Sequence, residues 1–142
     1  MRRIKYIIVH CSATKVTQDV TVADICRMHR ERGYSRGIGY HYYVRKDGRI
    51  YEGRPVEWNG AHCLGWNTVS LGVCYEGGLD ANGKPADTRT PQQKASMLAL
   101  LGVLKERFPE AHIMGHRDTG AKKDCPCFDA ETEYKHLNKS TQ

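Results

Sequence analysis

Ile4 to His10 is a β-branched, apolar run, which reads as a buried strand. The segments after it alternate strand and helix signals. Thr21 to Arg32 reads as a helix with Thr21 as N-cap and Gly33 as its stop. Val22, Ile25, Cys26 and His29 fall on one side of it at helical spacing. Tyr40 to Arg45 and Arg49 to Gly53 flank Lys46-Asp47-Gly48, a hairpin signal. Val69 to Tyr75 is a further strand with Gly72 inside it, and Glu76 to Arg89 is a long loop rich in Gly, Asp and Asn. The clearest helix opens at Thr90-Pro91-Gln92-Gln93: Thr90 suits the N-cap, Pro91 the first turn, and Gln93 completes a capping box. Ala95, Leu98, Leu101 and Leu104 or Lys105 continue it with apolar residues turned inward, and Pro109 ends it near Phe108. Ala111 to Gly115 is a short strand, and Asp129 caps a final helix through about Leu137. This alternation predicts a single α/β domain over residues 1–142, a central mixed β-sheet flanked by helices.

The totals bound the function. Hydrophobic residues make up 39% and charged residues 27%, ordinary values for a globular protein with a real core. No stretch approaches the roughly 20 apolar residues that a membrane span requires, so no membrane insertion is expected. Charges stand at Arg2, Arg3 and Lys5, and the apolar stretch before His10 is too short for a signal peptide. Synthesis in the cytoplasm is therefore expected. In that compartment the six cysteines stay reduced. Cys11, Cys26, Cys63 and Cys74 read as small buried hydrophobes. The net charge of +6 favours anionic partners. Its basic residues are scattered and form no track with interleaved aromatics, so no nucleic-acid partner is expected.

Among seven histidines, position singles out two. His10 ends the buried apolar strand and His116 follows another short strand through Gly115, and strand ends are where α/β proteins place reactive side chains. Nine residues after His116 comes Cys125, in Lys122-Lys123-Asp124-Cys125-Pro126-Cys127-Phe128-Asp129. Two imidazoles and a thiolate make a three-ligand set that leaves one tetrahedral position open, the mark of a catalytic zinc. Spacing alone supports this weakly, since there is no HExxH helix and no paired CxxC.

Five segments resemble one family in its own order. They are Ile8-Val9-His10-Cys11-Ser12-Ala13-Thr14, Gly39-Tyr40-His41-Tyr42 through Lys46-Asp47-Gly48, Ser70-Leu71-Gly72-Val73-Cys74, Gly115-His116-Arg117-Asp118 and Lys123-Asp124-Cys125-Pro126-Cys127-Phe128-Asp129. The chain resembles the type-2 N-acetylmuramoyl-L-alanine amidases, in particular the amidase-type phage lysozymes (endolysins), which share their fold with peptidoglycan recognition proteins. The resemblance implies Zn2+ bound by His10, His116 and Cys125, with Tyr40 as catalytic tyrosine and Lys123 as oxyanion-stabilising lysine. It implies hydrolysis of the amide between N-acetylmuramic acid and L-alanine in peptidoglycan by a zinc-activated water. His62 is expected to contact substrate.

Two alternatives stay open on the residues: Lys122 in place of Lys123, and Cys127 in place of Cys125. His41, adjacent to Tyr40 and facing the other way in a strand, is expected to pack behind it. His29, His112 and His136 are expected to be structural or exposed. Glu76 to Arg89 and the loops around Trp58 and Trp66 are candidate walls of a substrate groove. A monomer is expected, acting on the cell wall, with holin-type release if it serves phage lysis. A recognition module that binds peptidoglycan without cutting it is the main rival, and the presence of Cys125 beside His10, His116 and Tyr40 weighs against it.

Overall fold

The computed structural model describes residues 2–139. In chain order its elements are β1 (Tyr6–Cys11), β2 (Thr14–Lys15), α1 (Val22–Glu31), β3 (Tyr42–Val44), β4 (Ile50–Glu52) and β5 (Ser70–Tyr75). They continue with β6 (Gly78–Leu79), α2 (Pro91–Arg107), β7 (His112–Gly115), α3 (Ala130–Glu133) and α4 (Lys135–Lys139). Five strands form one sheet in the order β4-β3-β5-β1-β7. The β3–β4 hairpin is antiparallel and the other pairings are parallel, giving the mixed sheet that the alternation implied.

Local chemistry sets the helix starts. Thr21 accepts from the Asp24 amide while Asp24 accepts from the Thr21 amide, and Thr90 and Gln93 repeat the exchange at α2. Asp129 accepts from the Thr132 amide at the start of α3. The C-terminal helix is broken at Tyr134 rather than continuous.

β1 is buried along nearly its whole length, and its alternate residues serve two different layers. Ile7, Val9 and Cys11 join Leu71, Val73 and Ile113 against Met97, Leu100, Leu101 and Leu104 of α2. Each such side chain contributes roughly 1.5–3 kcal/mol on full burial, so this layer carries most of the apolar stabilisation. The helix phase differs from the expected one: Leu98 is 45% exposed and Ala95 is also exposed, while Met97 and Leu100 point inward. α2 is apolar around much of its circumference, so periodicity fixed no face. The capping Gln93 does fix it: its side chain is buried and donates to Val44 O and Glu76 O.

The opposite face of the sheet packs on α1 through Val20, Ile25, Ile38, Tyr43 and Cys74, and on the 61–67 loop through Ile8, Cys63 and Met114. Cys11, Cys63 and Cys74 are buried as expected, whereas Cys26 is only half-buried because it flanks the inward face of α1. All six cysteines are free thiols.

The 76–89 segment is not a plain loop. β6 pairs in parallel with β2, two residues on each strand, too short for any sequence period to show. At its end the buried Arg89 guanidinium binds Asp87 and Glu133, each through two hydrogen bonds, and lies 3.4 Å over the Phe128 ring. This clamp ties the segment to α3, behind the Cys125 loop.

Candidate metal centre

The register of the parallel strands assembles the site. Val9 pairs with Gly115, so the next residues, His10 and His116, emerge side by side where β1 and β7 end. Their ring centroids are 4.6 Å apart. His10 points to the face opposite α2 and is 1% exposed. His116 is held by its turn: Asp118 Oδ2 accepts from the Gly115 amide at 2.7 Å, and Thr119 Oγ1 donates to His116 O at 2.7 Å. Cys125 reaches the same point from its loop. The Cys11 amide donates to its sulfur at 3.1 Å, and its carbonyl accepts from the Arg117 amide at 2.9 Å.

The ligand atoms of His10, His116 and Cys125 all lie within 4.8 Å of one another, the one such His/Cys/Asp/Glu group among the described residues. Cys125 Sγ is 3.9 Å from His10 Nδ1. A tetrahedral zinc with nitrogen at about 2.0 Å and sulfur at about 2.3 Å separates the two by roughly 3.5 Å, so the set fits such an ion with small adjustments. Burial, then the neighbouring His62, His116 and Lys123 charges, holds His10 well below its ordinary pKa of 6.5. Burial and then Lys123 lower His116. Both rings are therefore neutral at pH 7, with a lone pair free for a metal.

Cys127 does not join the group. Its sulfur faces Cys11 Sγ at 4.0 Å and donates to Gly78 O at 3.3 Å. The hydrogen bond with Cys125 foremost, and burial after it, push the Cys11 thiol up to about 12, while the contact with Cys127 works in the opposite direction.

Residues 1–128 match the family described as N-acetylmuramoyl-L-alanine amidase. The chain belongs to that family. It is 44% identical over 123 residues to the endolysin of Enterobacteria phage K11, covering 87% of this chain and 80% of that protein. Among solved structures it resembles the amidase LysC from Clostridium intestinale URNW, with a TM-score of 0.80 and 33% identity over 96% of this chain and 87% of that one. Drosophila PGRP-LB is similar at a TM-score of 0.74 and 25% identity, over 95% of this chain and 81% of that one. The chain is thus an amidase of the endolysin and peptidoglycan-recognition fold, and peptidoglycan amidase activity follows from its family.

In this amidase the ligand group lies in a cleft formed by two adjoining cavities. The larger, about 590 Å³, runs past Leu64, Trp66 and residues 119–121. The smaller, about 180 Å³, is lined by His10, Tyr40, Cys125 and the strand-end residues Ser12 and Ala13. Tyr34, His62, His116 and Lys123 line both. Lys122 lines neither.

Tyr40 stands beside His10 with ring centroids 5.1 Å apart. Burial foremost, with the Cys74, Cys125 and Cys11 sulfurs adding to it, pushes its phenol well above 10. His41 packs behind as expected, its Nδ1 accepting from the Gly72 amide and its Nε2 meeting Trp58 O. His29 is buried and its Nδ1 accepts from the Gly39 amide, yet its ring also borders the smaller cavity.

His62 lines the cleft, but both its ring nitrogens turn inward, Nδ1 to His10 Nε2 at 2.9 Å and Nε2 to Ser70 Oγ at 3.3 Å. Of the expected groove walls, Trp66 borders the cleft. Trp58 does not: it is stacked under Arg36 at 4.3 Å. Nor does Glu76–Arg89 border it, because β6 pairing and the Arg89 clamp hold that segment elsewhere. Sequence reading missed Arg32 and Tyr34 of the cleft wall, which flank the helix-ending Gly33 and carry no chemical signature.

Proposed function

We propose that this amidase hydrolyses the amide joining the lactyl group of N-acetylmuramic acid to L-alanine, with zinc held by His10, His116 and Cys125. The observation that carries the reading is the convergence of two neutral imidazoles at strand ends with one thiol from a loop, inside the cleft of an amidase-family chain. When bound, zinc supplies Lewis acidity that polarises the amide carbonyl and makes water nucleophilic near neutral pH.

The other residues support the reaction from fixed positions. Lys123 projects its ammonium at the cleft edge, and its charge reaches both His10 and His116. There it stabilises the negative charge that develops on the carbonyl oxygen under attack. Tyr40, with its raised pKa, keeps its proton and serves as a hydrogen-bond donor to the reacting oxygen atoms rather than as a resting base. His62 offers its ring edge to the substrate.

Residues 1–142 act as one amidase domain and as a monomer. Likeness to the K11 endolysin supports a role in phage lysis, with synthesis in the cytoplasm. Among the described residues no helix is long and apolar enough to cross a membrane, so a holin-type pore would supply the passage to the wall.

Digestion of purified peptidoglycan with mass analysis of the products tests this reading. Free stem peptides beginning with L-alanine, released only after zinc loading, are expected. New reducing sugar ends, or cleavage within the stem peptide, would overturn it.

A further inference from the structure

We propose that His62 and Ser70 are positioning residues that lock His10 in the tautomer presenting Nδ1 to the metal. The inference rests on the metal reading above and goes beyond it by naming what aims a ligand.

The direction of the hydrogen bonds decides the tautomer. Ser70 opens β5 and is fully buried. Its single hydroxyl hydrogen donates to Trp66 O at 2.8 Å, a carbonyl that can only accept. The Ser70 oxygen therefore faces His62 Nε2 as an acceptor, at 3.3 Å, and His62 must supply the hydrogen. A neutral imidazole with hydrogen on Nε2 has a bare lone pair on Nδ1. That lone pair lies 2.9 Å from His10 Nε2, so His10 donates. His10 is left with its own lone pair on Nδ1, the nitrogen that faces Cys125 Sγ at 3.9 Å. Running the chain backwards would put two oxygens 2.8 Å apart at Ser70 and Trp66 with no hydrogen between them.

The surrounding backbone is shaped to hold this relay. A Cβ on Gly72 would lie 2.7 Å from His62 Cγ and 2.8 Å from its Cδ2, so glycine alone lets the imidazole rest against β5. Asn67 Oδ1 accepts from the His62 and Cys63 amides at 2.9 and 3.0 Å and pins the loop that carries the ring. Ser70, Gly72 and Asn67 thus have one task in common, although none of them borders the ligand atoms. A hydrogen-bond partner on the far nitrogen of a ligating histidine fixes its tautomer and orientation, and losing it weakens metal binding.

The test measures zinc affinity by chelator competition in the unsubstituted enzyme and in Ser70→Ala, His62→Ala and His62→Gln, with 15N–1H spectra of the zinc-loaded, unsubstituted enzyme. Ser70→Ala and His62→Ala are expected to weaken zinc binding by roughly 10–100-fold. His62→Gln, whose amide oxygen can accept from His10 Nε2, is expected to recover most of that loss. The spectra are expected to show hydrogen on Nε2 of both His10 and His62. They need no variant, so they decide the matter even if a substitution fails to fold. Hydrogen on Nδ1 of His62, or zinc affinity unchanged in all three variants, would overturn the proposal while leaving the zinc reading intact. Absence of zinc binding by the unsubstituted enzyme would overturn both.

Discussion

The two faces of the central sheet use the same strands under different rules. Toward α2, Ile7, Val9, Leu71, Val73 and Ile113 fill volume, and what matters is how much apolar surface leaves water. Toward the cleft, the same β1 and β5 present His10 and Ser70, and Gly72 leaves room for a ring; what matters there is which atom each hydrogen bond points at. No buried side-chain nitrogen or oxygen among the described residues lacks a partner. The comparison teaches that stability and chemistry are separated by the two-residue period of a strand. Substitutions on one face should therefore move quantities that substitutions on the other leave alone.

The largest expected effect is on the cleft face. Cys125→Ala should lower wall hydrolysis by at least about a thousandfold, since the metal's share of the barrier is several kcal/mol. Circular dichroism should show the fold retained, and loss of the fold would mean that the two faces are not separable. Next, Lys123→Ala should lower the rate by roughly 10²–10³ with zinc content unchanged, while Lys122→Ala, outside the cleft, should not change it.

The packed face answers in the other currency. Leu101→Ala should destabilise by roughly 2–5 kcal/mol in urea unfolding and leave turnover per folded molecule unchanged. Leu98→Ala, on the exposed side of α2, should shift stability by only about 0.5 kcal/mol; equal effects from the two would refute the helix phase.

Smallest per step is the response to acid. Burial first of all lowers the His29 and His41 rings to about 4, so both fold neutral. Unfolded, each titrates near 6.5. Between these values the unfolded chain binds more protons, so stability falls as pH drops from about 6.5 to about 4, by about 1.4 kcal/mol per pH unit for each ring. Above about pH 7 it should be flat. Urea midpoints across this range check the slope, and a flat profile would show that the cleft face is not dry.

What the chain discloses without coordinates follows the reach of each interaction. The caps at Thr21, Thr90 and Asp129 are local exchanges over three residues, and each was legible. The central strands β1 and β5 were legible because their apolar runs are long. The β2–β6 pair was not, because two residues show no period. The face of α2 was not, because Ala95, Leu98 and Val103 are apolar yet outward. His10, His116 and Cys125 came as a group only through family motifs, since their convergence depends on strand register rather than on spacing. The inward turn of His62 depends on side-chain packing over Gly72, which no linear pattern encodes.

X-ray absorption at the zinc edge of the purified enzyme tests the central claim most directly. Two imidazole nitrogens and one sulfur around a single zinc ion per chain are expected. A zinc environment without sulfur, or a fully active enzyme without zinc, would contradict the account.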